Sequence, residues 1–135
     1  MKRTAFILIA CALTAGILLA QRPSQGEEYK KWMQDAQAQV RAFTEAYNSM
    51  DIAKASAAID ALQKDFALVE QHFQKAQKAD AVAWAKDVRL KMEDAQVKMK
   101  LKDISYSLNL LELAQKNCKA CHAVYKAPPT KGNQH

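Results

Sequence analysis

Apolar residues along most of this 135-residue chain recur every three or four positions, which is the spacing of one face of an α-helix. Four such segments follow one another, with apolar positions that run from Tyr29 to Tyr47, from Ala55 to Ala76, from Val82 to Met99 and from Ile104 to Tyr125. Only 3 Gly and 3 Pro interrupt the chain, and helix-forming residues dominate it. The sequence therefore predicts an all-α protein.

The breaks between these segments are short, and each of them ends in an aspartate. Asp51, Asp80 and Asp103 are each expected to cap the helix that follows, and Pro128 and Pro129 are expected to stop the fourth helix. Short connections make consecutive helices antiparallel. The predicted fold is an antiparallel up-down-up-down four-helix bundle.

This topology brings the start of the first and third helices to the same pole as the end of the second and fourth. Trp32, Phe66, Phe73 and Trp84 are all expected near that pole. Large aromatic side chains gathered at one pole can surround a flat apolar ligand, although each of them can equally be ordinary core.

The first 20 residues, MKRTAFILIACALTAGILLA, have the pattern of a secretory signal peptide that is cleaved near Ala20. The alternative is an uncleaved anchor, but the run is short for a bilayer span of about 20 apolar residues. Cys11 in LIAC resembles a lipoprotein box. Because the apolar run continues to Ala20, a passenger cysteine is favoured.

We expect a signal peptide at 1–20, a linker at 21–26, a helical domain at 27–127 and a flexible tail at 128–135, which implies a periplasmic location. Without Lys2 and Arg3 the chain keeps 18 basic and 14 acidic residues, a net charge of +4. Opposite charges are interleaved, so nucleic acid is not an expected partner, and no stable membrane association is expected after cleavage.

The stretch KNCKACHAVYK holds Cys118, Cys121 and His122 in the order C-x-x-C-H, the attachment sequence of c-type haem. Two thiols one helical turn apart reach the two vinyl groups and form thioethers, and the adjacent imidazole binds the iron. The sequence predicts one covalent haem c on Cys118 and Cys121, with His122 as the proximal ligand.

Other uses of the cysteine pair fit less well. A disulfide between Cys118 and Cys121 would close a very small loop and stabilise little. A thioredoxin-like dithiol belongs in a βαβ context, and structural zinc needs four ligands where the mature chain has no second cysteine pair.

The sequence resembles the class II c-type cytochromes, the cytochrome c-prime group. The motif lies near the C-terminus in the extended form C-x-x-C-H-x-x-Tyr-basic, which ends here in Tyr125 and Lys126. Lys126 stands where the family usually has arginine. Tyr125 follows His122 by three residues and is expected to pack beside the proximal face of the haem. Lys126 is expected either to neutralise a propionate or to face water. Relatives also pair through their first two helices, so the resemblance admits a homodimer.

The sixth coordination position of the iron decides the predicted function. Met33 is the leading ligand because it lies at the motif's pole, a thioether suits iron, and low-spin relatives are similar in placing methionine on this helix. The alternative is that Met33 is packing. His72 is the second candidate ligand, although its polar neighbours suggest solvated surface. Met50, Met92 and Met99 are expected away from the iron, and the terminal His135 is not expected to bind it.

With a sixth ligand, the protein is expected to carry single electrons between redox proteins. Without one, it would be a five-coordinate haem protein that binds or senses nitric oxide or carbon monoxide. No acid–base or nucleophile constellation is visible, so it is not expected to be an enzyme. Lysines near the haem pole either steer acidic redox partners or simply solubilise that face; they are Lys30, Lys31, Lys116, Lys119 and Lys126.

Overall fold

The computed structural model describes residues 25–126, which form four α-helices and no strand. They are α1 (Gln25–Asn48), α2 (Ile52–Lys75), α3 (Ala79–Lys100) and α4 (Ile104–Tyr125). The all-α prediction is confirmed. The expected signal peptide with Cys11, most of the linker, and the tail with Pro128, Pro129 and His135 lie outside the described residues. Within residues 25–126, no helix is long and apolar enough to cross a membrane.

Each helix packs along the next one in the chain, and a smaller contact between α1 and α4 closes the bundle. Neighbouring helices are antiparallel: the start of α1 meets the end of α2 where Tyr29 stacks on His72, and Glu70 of α2 pairs with Arg89 of α3. The structure is therefore consistent with the predicted four-helix bundle.

The largest fully buried side chains lie in the middle of the bundle and towards the end away from the cysteines. They are Phe43, Ile59, Leu62 and Met92. Each such side chain contributes about 1.5–3 kcal/mol of stability through burial. Ser107 is the buried polar residue among the described residues. Its hydroxyl donates to the Ala95 carbonyl at 3.0 Å, and this bond links α4 to α3.

All three turns close with the same pair of backbone hydrogen bonds. After α1, the Asp51 amide donates to the Ala46 carbonyl at 2.8 Å and the Met50 amide donates to the Tyr47 carbonyl at 3.1 Å. This is a Schellman motif, whose penultimate residue is left-handed and usually glycine. Here that residue is Met50 (φ 55°), and its equivalents after α2 and α3 are Gln77 (φ 54°) and Lys102 (φ 60°).

Two of the three predicted caps are present. The Asp51 carboxylate accepts from the Lys54 amide, and the Asp103 carboxylate accepts from the Tyr106 amide, both at 3.0 Å. The third prediction was wrong. The turn after α2 ends at Lys78, so α3 begins at Ala79 with no side-chain cap.

Asp80 therefore lies inside the first turn of α3. Its carboxylate accepts from the Ala81 amide at 2.8 Å and from the Tyr125 hydroxyl at 2.6 Å.

Glycine at the strained turn positions should stabilise the bundle. A residue with a Cβ in the left-handed conformation destabilises the fold by about 1–2 kcal/mol. Glycine avoids this strain but loses more backbone entropy on folding, which costs about 0.5–1 kcal/mol. Gln77→Gly and Lys102→Gly should therefore each raise the free energy of unfolding by about 0.5 kcal/mol. Urea denaturation measures this. The control is Lys86→Gly, on the exposed face of α3, which should lower the free energy of unfolding by about 1 kcal/mol. Equal losses in all three variants would contradict the argument.

Candidate functional site

The four helices meet at one end of the bundle through a chain of side-chain contacts. Tyr29 of α1 packs edge-on against Phe73 of α2 with ring centroids 5.5 Å apart, and Phe73 lies 5.4 Å from the Tyr125 ring of α4. Tyr125 in turn donates to Asp80 of α3 at 2.6 Å. We call this end the motif pole; it consists of residues 29–36, 66–73, 80–88 and 117–126.

Cys118 and Cys121 lie one turn apart on the inner side of α4. Both are partly buried, pack against the core, and are free rather than joined in a disulfide. Burial, followed by the neighbouring Cys121, raises the pKa of Cys118 to about 11. Burial, followed by Asp80, also raises the pKa of Cys121. Neither thiol has the depressed pKa that a dithiol oxidoreductase needs.

His122 follows Cys121 directly and is exposed at the edge of the motif pole. Partial desolvation, followed by the positive charge of Lys126, lowers its pKa. The neutral imidazole is the form that binds a metal. Lys126 is exposed and lies just after α4, and its amide donates to the His122 carbonyl at 3.1 Å.

Two hydrogen bonds to α3 bracket the motif. Asn117, the residue immediately before Cys118, donates its side-chain amide to the Asp87 carboxylate. Tyr125, three residues after His122, donates its hydroxyl to Asp80. Together they fix the rotation and the height of this last part of α4 against α3. The cysteines are thereby held on the inner side of the helix.

Met33 is partly buried at the motif pole, where it packs against the core from α1. Tyr29, one turn earlier, lies close to both cysteines: burial raises its pKa to about 12, with smaller contributions from Cys121 and Cys118. Of the other methionines, Met92 and Met99 are buried along α3, and Met50 is exposed in the turn after α1. The structure therefore places Met33 at the same pole as the cysteines.

His72 is less solvated than its polar neighbours suggest. Its ring stacks on Tyr29 with centroids 4.8 Å apart, and it lies edge-on to Trp32 at 6.2 Å. Two aromatic residues of α1 cover one side of His72, which is partly buried, while Gln71 and Gln74 beside it are exposed as expected. Tyr29 and Trp32 are three residues apart, so their shared face was the signal in the sequence.

Many large side chains of the motif pole are only partly buried, in contrast to the closed core beyond it. They are Tyr29, Trp32, Met33, Val82, Trp84, Cys118, Cys121 and Tyr125. Phe66 and Phe73 form the buried floor. Two thiols and a thioether lie among these half-buried rings, with the exposed imidazole of His122 at their edge, and these are side chains that could hold a haem. Residues 25–126 contain no group of three or more His, Cys, Asp and Glu side chains placed to hold a metal ion.

Comparison of the chain with protein-family models, curated proteins and solved structures finds no match. The function is therefore argued from the residues of the motif pole themselves.

Tyr125→Phe should raise the pKa of Asp80, because the hydroxyl that donates to this carboxylate is the largest cause of its lowered pKa. A lowered pKa in the folded state stabilises the fold above the ordinary pKa of aspartate, and this contribution is lost as pH falls through the lowered value. NMR titration of the Asp80 carboxyl measures the shift. Tyr106→Phe, on the same helix, is the control. An unchanged Asp80 titration in Tyr125→Phe would show that the hydrogen bond does not form in solution.

Proposed function

We propose that this protein is an exported, periplasmic monohaem c-type cytochrome that carries single electrons between redox proteins. One observation carries the proposal. Cys118 and Cys121 lie on one side of α4, partly buried against the aromatic side chains of the motif pole, and His122 follows them directly. This is the donor set and spacing that c-type haem attachment requires.

Each residue of the motif has a distinct role in this proposal. The thiols of Cys118 and Cys121 would hold the haem covalently as thioethers, and the imidazole of His122 would bind the iron. The bound haem supplies reversible one-electron chemistry. Covalent attachment prevents loss of the cofactor from an exported protein.

The rest of the motif pole would orient this group. The bonds from Asn117 to Asp87 and from Tyr125 to Asp80 hold the attachment residues against α3. Phe66 and Phe73 close the interior side. Fixing the attachment residues in this way reduces the reorganisation that accompanies a change of charge, which suits electron transfer.

Met33 is the proposed sixth ligand. A thioether stabilises the reduced iron and raises the reduction potential. The position of Met33 on α1, across the motif pole from α4, supports this role. In this proposal, His72 contributes packing through its stack on Tyr29.

A second function follows if Met33 only packs. Met33 is partly buried against apolar core residues, which is also the environment of a methionine that fills space. The haem would then be five-coordinate, and the protein would bind or sense nitric oxide or carbon monoxide. A homodimer through α1 and α2 stays a prediction in either case.

Met33→Leu separates the two functions, because leucine keeps the shape of the side chain and removes the sulfur. In the haem-loaded protein, the weak far-red absorption band of thioether-bound ferric haem should disappear, and the reduction potential should fall. Absorption spectroscopy and a redox titration measure both.

Met50→Leu, at an exposed turn, and His72→Gln are the controls and should leave the band in place. A native protein that lacks the band and takes up carbon monoxide readily when reduced would favour the gas-binding function. A native protein that lacks the band, takes up carbon monoxide poorly, and takes it up readily in His72→Gln would move the sixth ligand to His72.

A further inference from the structure

The outer side of α3 carries large apolar side chains that remain exposed within residues 25–126. Leu90 is 46% exposed, Val97 is 50% exposed, and Leu101, directly after the helix, is 70% exposed. Leu90 lies midway between the buried Val88 and Met92, so it is directed straight away from the core. Because α3 is apolar on both its inner and its outer side, it is the least amphipathic of the four helices. A helix with a second apolar side is expected to bury that side against another helix.

Three pairs of exposed residues lie at equal distances before and after Leu90, which is at the middle of α3. The pairs are four, seven and eleven residues away, and they are Lys86 with Asp94, Ala83 with Val97, and Ala79 with Leu101. Residues at these separations lie on nearly the same side of an α-helix. We call Leu90 and these six residues the α3 outer face.

The two members of each pair are complementary. Lys86 is positive and Asp94 is negative, and neither of them is in an ion pair in the described part of the chain. The other two pairs each combine a small alanine with a larger side chain, valine or leucine. A face with this symmetry fits a second copy of itself in the antiparallel direction, because every residue before Leu90 then lies opposite its complement after Leu90.

The direction of pairing follows from the charges and the sizes. In the antiparallel arrangement, Lys86 of each copy lies opposite Asp94 of the other, and each alanine leaves room for the larger side chain across from it. In a parallel arrangement, lysine would face lysine and aspartate would face aspartate, and such contacts between like charges are unfavourable. The pattern therefore favours the antiparallel direction.

We propose that the α3 outer face is a self-association surface, through which two copies of this chain pair with their α3 helices antiparallel and Leu90 on the two-fold axis. This surface is distinct from α1 and α2, which the resemblance named as the pairing helices. Antiparallel pairing places the motif pole of each copy beside the opposite end of the other copy, so the two pairs of cysteines stay apart. The proposal does not depend on haem attachment.

Sedimentation equilibrium of the matured protein tests the pairing. A contact between two single helices is small for a protein interface, so the native protein should change from monomer to dimer between about 1 and 100 μM. Leu90→Ala should weaken the association at least about ten-fold, because a buried side chain is lost from each copy. The matched control is Leu68→Ala, because Leu68 is 38% exposed on α2 and should leave the association unchanged.

Reversal of the two charges tests the antiparallel register. Lys86→Glu and Asp94→Lys should each weaken the association about ten-fold, because like charges then face each other twice in the dimer. A mixture of these two variants should associate about as tightly as the native protein, and so should the double variant, because opposite charges face each other again. The controls are Lys116→Glu and Glu112→Lys, on the exposed side of α4, which should leave the association unchanged.

A native protein that stays monomeric at about 1 mM would overturn the proposal. So would a dimer that Leu90→Ala and both charge variants leave intact, because its contact would lie on another surface, such as the groove between α1 and α2. Weakening by both charge variants without recovery in their mixture would contradict the antiparallel register.

Discussion

The attachment of α4 to α3 is the constraint on which the motif pole depends. Three hydrogen bonds run along this seam: Ser107 to the Ala95 carbonyl, Asn117 to Asp87, and Tyr125 to Asp80. Because the motif lies between the last two, its rotation is set by side chains of the neighbouring helix. As a consequence, the cysteines turn inwards and the lysines of this part of α4 turn outwards.

The two ends of the bundle differ in how completely their large side chains are buried. The middle and the end away from the cysteines hold fully buried side chains such as Phe43, Ile59 and Leu62, which supply stability through burial. The motif pole instead keeps Trp32, Met33 and other large side chains half-exposed. A bundle that is stable at one end tolerates an open apolar surface at the other.

The sequence predicted most of the helical structure because helix periodicity and capping are local. Asp51 and Asp103 cap as expected, since each carboxylate reaches an amide three residues on. Asp80 has the same local sequence pattern but does not cap a helix, because the turn ends at Lys78. Its carboxylate instead accepts a hydrogen bond from Tyr125, 45 residues later. The partial cover of His72 likewise comes from another helix. Long-range contacts of this kind are invisible to local pattern.

Covalent haem attachment at Cys118 and Cys121 is the central claim, and the intact mass of the protein tests it most directly. Protein exported from a host with c-type maturation machinery should have the mass of the processed polypeptide plus one haem. The haem should stay on the protein during acid–acetone extraction. Cys118→Ala/Cys121→Ala should have the mass of the polypeptide alone. A native protein with only the polypeptide mass, from a host that matures another c-type cytochrome in parallel, would contradict the account.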